Sequence, residues 1–416
     1  MRALSLILLA CGTLSWAAPA RADWAQVSEV PTTQLFSLFA NGDTIATGAD
    51  TAAYLSTNGG VTWKRSARPS PAVQAIAAVR VHRGRLYAGT LGQGVFVSDD
   101  LGTTWSAFNQ GLVGGFADSQ LHDVEFQVRG ESLYVATEGA GVYVRGLAAG
   151  SSWAPFGTEL EPNQASDVTG LAFGGGRLLT LAGSNGQVFF NDPGDPDWSV
   201  SNLDNVGLHP GASAFTGKWN GTSWVVGTNF GVFRSAAAEE PWTRTDVGFG
   251  PLNWATFAAL GSRFFGAFST FTFAVVEESD DGGATWQNEE DFLGVFIHDL
   301  AVSGSTLYAA RGDGLWRRAA GAVAVDGNGP SRVSFALSGA QPFGDRARVR
   351  FVLASAGEAT IAIFDVHGRR VGGVSGSWPA GPSEVALDAR ALPSGVYHAL
   401  LTTGGERRSV RLVHLR

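Results

Sequence analysis

Short apolar runs alternate with turns along most of the 416-residue chain, and no run shows the spacing of an amphipathic helix. One unit recurs. It holds an apolar strand, a polar turn, a strand of the type Leu-Tyr-Ala-Gly, a glycine-rich turn, and a strand of the type Gly-Val-Phe-Val. A polar turn ending in tryptophan and a short last strand close it. The second strands centre on Ile45, Tyr87, Tyr134, Leu179, Val225, Phe265 and Tyr308, and the third on Tyr54, Phe96, Tyr143, Phe189, Phe233, Val276 and Trp316. Within each series the spacing is 40 to 47 residues. Four short strands at that period make one blade of a propeller.

The turn before the last strand reads Ser98-Asp99-Asp100-Leu101-Gly102-Thr103-Thr104-Trp105. Ser279-Asp280-Asp281-Gly282-Gly283-Ala284-Thr285-Trp286 is a second full copy, and residues 56–63 are a copy with Asn58 for aspartate. Looser copies end at Trp153, Trp198 and Trp242. Serine and aspartate side chains accept backbone N–H groups in such turns, glycine allows positive φ, and the tryptophan covers the hairpin end. The motif resembles the Asp-box of sialidase-type and sortilin-type β-propellers and of photosystem II assembly factors. In those families the box lies away from the ligand face, so the resemblance gives Asp99, Asp100, Gly102, Trp105, Asp280, Asp281, Gly283 and Trp286 a structural role.

The tryptophan series lacks a member near residue 330, where the chain reads Gly-Asn-Gly-Pro, and Trp24 stands spare at the other end. The expected fold is therefore all-β: a seven-bladed β-propeller over residues 23–326, closed by an N-terminal strand beside Trp316.

Beyond a linker at 327–331 the period stops, and about seven alternating strands predict an antiparallel sandwich over 332–416. Eleven arginines face six acids in residues 327–416, whereas the whole chain carries −8. Residues 359–371, with Phe364-Asp365-Val366-His367-Gly368-Arg369-Arg370-Val371, match a hydrophobic-x-Asp-x-x-Gly-Arg-x-Val hairpin. Together with residues 387–397 and 410–416 they resemble the Ig-like domain of flagellar hook-capping proteins and of type IX secretion sorting domains. The closing strand carries Arg where sorting domains have Lys. The resemblance implies a tail read by secretion machinery.

Arg2, the apolar run from Ala3 to Ala10, and Ala20-Arg21-Ala22 predict a signal peptide over residues 1–22. Its removal takes away the single cysteine, Cys11, leaving no disulfide; a lipid anchor at Cys11 is the alternative. The address is extracellular or cell surface, with the periplasm as a further alternative. No other apolar run approaches the ~20 residues that span a bilayer, and the acidic balance speaks against nucleic acid.

Candidate chemistry is sparse. The sialidase resemblance fails on its own residues, since no Arg-Ile-Pro segment and no arginine triad can be found. Nor is there a nucleophile elbow, an H-E-x-x-H or a P-loop. No catalytic residue, metal ligand or cofactor site is assigned. His122-Asp123, Asp167 and His298-Asp299 stand at equivalent starts of first strands, where they could meet at the mouth of a central channel. Arg311-Gly312-Asp313 reads as a turn. Apolar segments at 112–116, 249–254 and 292–296 lead into first strands, where they either plug the channel or form a rim. The leading expectation is a non-catalytic binding module for a protein or glycan; a glycoside hydrolase and a complex-assembly factor are the alternatives.

Overall fold

The computed structural model describes residues 24–320 and 334–415, apart from residues 32, 113–124, 138–140, 158–159, 161–167, 183–186, 202, 204–212, 240, 246–251, 253, 271–272, 294, 338–342, 354, 366–368 and 404–405. The linker at 327–331, the signal segment and Cys11 lie outside them. Among the described residues there is no helix, and hence none long and apolar enough to cross a membrane.

The described residues of 25–319 form seven antiparallel four-stranded sheets. Sheet 1 takes Leu35–Asn41, Thr44–Ala49, Ala53–Ser56 and Lys64–Arg65, and sheet 2 takes Ile76–His82, Arg85–Thr90, Gly94–Ser98 and Ser106–Ala107. Sheets 3 to 6 repeat the order, with first strands Glu125–Arg129, Val168–Gly174, Ala214–Trp219 and Trp254–Leu260. Sheet 7 holds Ile297–Ser303, Thr306–Arg311 and Gly314–Ala319, and its fourth strand is Ala25–Gln26 from the other end of the chain. Ala25 and Gln26 stand opposite Arg317 and Trp316, and Val27 N–H donates to Leu315 C=O at 2.8 Å. This is the strand beside which the spare tryptophan places the N-terminus. Each first strand packs against that of the next sheet, and that of sheet 7 packs against that of sheet 1. Second and third strands are almost wholly buried, which is why both read as near-continuous apolar runs.

Tryptophans fasten neighbouring sheets. Trp105, Trp153 and Trp198 donate their indole N–H to the carbonyls of Ala67, Phe108 and Phe156, at 2.9, 2.6 and 3.0 Å. Trp242 and Trp286 donate instead to Ser201 Oγ and Thr245 Oγ1. Each acceptor lies in, or just after, the fourth strand of the preceding sheet. Trp24 takes the equivalent place for sheet 7, edge-on to Phe292 of sheet 6 at 6.0 Å.

The turns before these tryptophans hold themselves. Ser98 Oγ accepts Gly102 N–H at 2.7 Å and donates to Asp100, whose carboxylate accepts the N–H groups of Thr103 and Thr104. These bonds, Thr104 N–H first, hold the Asp100 carboxyl well below the usual range. Ser279, Asp281, Gly283 and Thr285 repeat the arrangement, and Ser56, Asn58, Gly60 and Thr62 do so with an amide. A Cβ on Gly102, at φ +92°, would lie 2.6 Å from Ser66 Cβ, so only glycine fits. Asp99 and Asp280 stay out of this network and pair with Arg85 and Arg263.

In the tail, Ser334–Leu337, Arg346–Leu353 and Gly381–Asp388 form one sheet. Arg370–Trp378, Gly357–Asp365, Gly395–Thr403 and Glu406–His414 form another. Val349 and Phe351 of the first share a core with Ile361, Ala399 and Leu401 of the second. The tail is a β-sandwich.

Candidate functional site

The seven first strands surround a cavity of about 760 Å³, to which every one of them contributes. Strand pattern alone leaves open which side chains face it. A repeated irregularity decides. In sheets 1, 2, 4, 5 and 7 the pairing of first and second strands skips one residue, at Phe36, Ala77, Thr169, Phe215 and His298. Such a bulge takes one residue out of the strand ladder and re-aims its side chain. All five line the cavity, so the bulges compose a rim.

The next register position holds Ser37, Ala78, Gly170, Thr216 and Asp299. Glu125, opposite Ala136, falls at the same level in sheet 3, and Thr256, opposite Ala267, in sheet 6. Asp299, Thr256 and Glu125 join sheet to sheet at this level. Asp299 Oδ2 accepts Leu38 N–H of sheet 1 at 2.7 Å, while Oδ1 accepts Thr256 Oγ1 of sheet 6 at 2.9 Å and Leu300 N–H at 2.8 Å. Glu125 Oε2 accepts Leu171 N–H of sheet 4 at 3.0 Å, and Oε1 accepts Gln127 Nε2. Thr169 Oγ1, from the rim, donates to Ala214 C=O of sheet 5 at 2.6 Å.

Burial pushes the Glu125 carboxyl up to about 7, against the pull of the Leu171 N–H and the Lys218 charge. It raises Asp299 too, outweighing the bond from Leu38. Burial also takes His298 down to about 4, so its imidazole is neutral at physiological pH.

His298 sits among aromatics, 4.7 Å from the Phe296 ring and 6.0 Å from that of Phe36, with Gln34 Nε2 3.3 Å from its Nε2. Two registers beyond the Glu125 level come Arg80 and Lys218. Arg80 lies over the Phe39 ring and donates to Phe126 C=O.

Of the five residues singled out in the sequence, His298 and Asp299 reach the cavity; His122, Asp123 and Asp167 lie outside the described residues. No turn aspartate lines it. The apolar loop segments divide. Leu252 and Phe292 are absorbed into inter-sheet cores, while Phe296 faces the cavity. Arg311 is bound bidentately to Asp313 and covered by Trp316, so Arg-Gly-Asp is closed on itself. Sequence reading missed Glu125 and Lys218. The one available signal for Lys218 was that it is one of two lysines in an arginine-rich chain. Among the described residues, no group of three or more His, Cys, Asp or Glu side chains could hold a metal.

No protein-family model and no curated protein matches the chain. Solved structures do. The extracellular domain of the hybrid two-component protein BT3049 of B. thetaiotaomicron matches at TM-score 0.57 and 12% identity, over 94% of this chain and 57% of that one. The chain thus spans less than two thirds of that domain. YCF48 of Cyanidioschyzon merolae matches at 0.53 and 13%, over 71% of this chain and 98% of that one; YCF48 is also solved bound to D1 peptide. PorZ, an essential surface component of the type IX secretion system of Porphyromonas gingivalis, matches at 0.50 and 13%, over 92% and 60%. All three are β-propellers, and at these identities they show the fold alone. The fold is a β-propeller.

Proposed function

We propose that this is an exported binding protein. A seven-bladed propeller, closed by its N-terminal strand, receives a protein or glycan at the bulged rim. The Ig-like tail over 332–416 is read by secretion machinery or attaches the protein at the surface. One observation carries the binding reading: the axial cavity is lined by Phe36, Phe215, Phe296 and His298, while both oxygens of Asp299 and one of Glu125 bond neighbouring sheets and the other Glu125 oxygen is held by Gln127. A hydrolase needs one carboxyl free to protonate a leaving group and another free to attack or activate water. Here both hold the ring. Export accords with the extracellular domain of BT3049 and the surface protein PorZ, and a peptide ligand accords with YCF48 bound to D1 peptide.

The test has two arms. The purified mature chain is applied to glycan and peptide arrays, and in parallel to a panel of chromogenic glycosides. Binding lost in Phe36→Ala and Phe296→Ala, without glycoside cleavage, is expected. Turnover abolished by Glu125→Gln or Asp299→Asn overturns the reading. In the native host, a chain ending at residue 331 is expected to stay inside. Normal external amounts of it would leave the signal peptide alone as the address.

A further inference from the structure

The outermost strands of the seven sheets are unequal. In six sheets the outer strand holds two or three residues. In sheet 6 it is Gln287–Leu293, seven residues and roughly 23 Å of extended chain. Its inner side pairs with Phe273–Ser279, skipping only Glu289. Phe292 anchors it from one face, with its ring edge-on to Trp24 and beneath Arg311 at 4.5 Å. Among the described residues, no backbone group bonds to its outer side. Such an edge presents N–H and C=O groups in a row, and very short edge strands are one way a fold keeps other chains from adding to them. Six sheets are blunted in that way, and sheet 6 is not.

Charge sets this edge apart as well. Residues 273–293 carry seven acids and no Lys or Arg. Arg263 of the second strand takes up two of them, Glu278 and Asp280. Glu289, Glu290 and Asp291 belong to the open strand itself. The six other outer strands hold no acid, and those of sheets 1 and 5 are basic, with Lys64, Arg65 and Arg244. Like charges set opposite one another across a ladder are destabilising, so the same edge of a second copy is repelled and a cationic strand is favoured.

We infer that the outer edge of sheet 6 takes an extended, lysine- or arginine-bearing segment of another protein as a fifth strand. Main-chain hydrogen bonds along Gln287–Leu293 supply the affinity, and Glu289, Glu290 and Asp291 select the sign of its charge. This surface is separate from the axial cavity, so it stands or falls independently of ligand binding there.

The test is calorimetric titration of the chain from Asp23 to Arg416 with end-capped peptides. One alternates lysine and valine, one alternates glutamate and valine, and a third is the lysine peptide methylated at every backbone nitrogen. The lysine peptide is expected to bind at least about tenfold more tightly than the glutamate peptide, by a margin that narrows as salt is added. The methylated peptide keeps the charge but has no N–H to give to a ladder, and is expected not to bind. Glu290→Lys together with Asp291→Lys is expected to reverse the preference at an unchanged melting temperature. Should that variant fail to fold, the three peptides on the parent chain still decide. Equal affinity for the lysine and glutamate peptides, or no binding of either at millimolar concentration, overturns the inference. Undiminished binding of the methylated peptide overturns strand addition and leaves only a diffuse electrostatic contact. A dimer of the parent chain in sedimentation, abolished by the double variant, would give the edge to a second copy and likewise overturn it.

Discussion

Removing one tryptophan latch tests whether the ring is held by sheet-to-sheet seams. Trp198 is 2% exposed and packs among Tyr134, Leu171 and Phe189 of two sheets. Its ring meets Phe156 edge-on at 5.5 Å, and its N–H reaches the Phe156 carbonyl at 3.0 Å. Trp198→Ala removes a fully buried aromatic side chain and leaves a cavity, a change that costs about 3–5 kcal/mol. The Phe156 carbonyl also loses its indole donor, which adds about 1 kcal/mol where water cannot replace it. At roughly 2 °C per kcal/mol for a domain of this size, melting should fall by about 10 °C. Trp198→Phe keeps much of the ring but not the donor, so its cost should lie between that of the alanine variant and zero. Pairing each with Phe156→Leu in a double-mutant cycle should give a coupling of about 0.5–1.5 kcal/mol for the edge-on contact. Val61→Ala, at a side chain 69% exposed, serves as a control expected within about 0.5 kcal/mol. Denaturant melts followed by circular dichroism give all the values. A Trp198→Ala cost no larger than that of Val61→Ala would refute the seam account.

Gly157→Ala should destabilise through the same seam, because at φ +80° its Cβ would lie 2.2 Å from Trp198 Cδ1; an unchanged melting temperature counts against this packing. Asp281→Ala should loosen its turn by on the order of 1 kcal/mol while ligand binding persists, and lost binding at unchanged stability would make the acid functional. Glu125 titrates near 7 when folded and near 4.5 when unfolded, so the folded chain holds a proton that the unfolded chain releases between those values. Its contribution is complete below about pH 4.5 and is lost as pH rises through 7; Glu125→Gln should flatten that decline in melts taken across the range. A chain beginning at Pro31 gives up the outer strand of sheet 7 with Val27 and Val30, both buried, and should melt lower than a chain beginning at Asp23; an equal melting temperature would show that strand to be dispensable.

The strand series, the period and the tryptophans were legible because each follows from a local demand. Buried second and third strands must be apolar, a hairpin end needs a large apolar cover, and a turn at φ +92° needs Gly102. Displacement of Trp24 to the start of the chain was legible by counting, and the pairing of Ala25 and Gln26 with sheet 7 follows it. What the amino-acid pattern could not decide was which first-strand residues face the axis. Alternation has a period of two, and one bulged residue reverses every face that follows it. The register slips that turn Phe36, Phe215 and His298 toward the cavity sit in first strands packed side by side around it, a setting no single strand contains. For the same reason Asp299, marked in the sequence as a channel-mouth candidate, proves to be a sheet-to-sheet fastening. Glu125 and Lys218, unmarked in the sequence, come within electrostatic reach of each other only across the cavity, because closure of the ring brings sheets 3 and 5 to one axis.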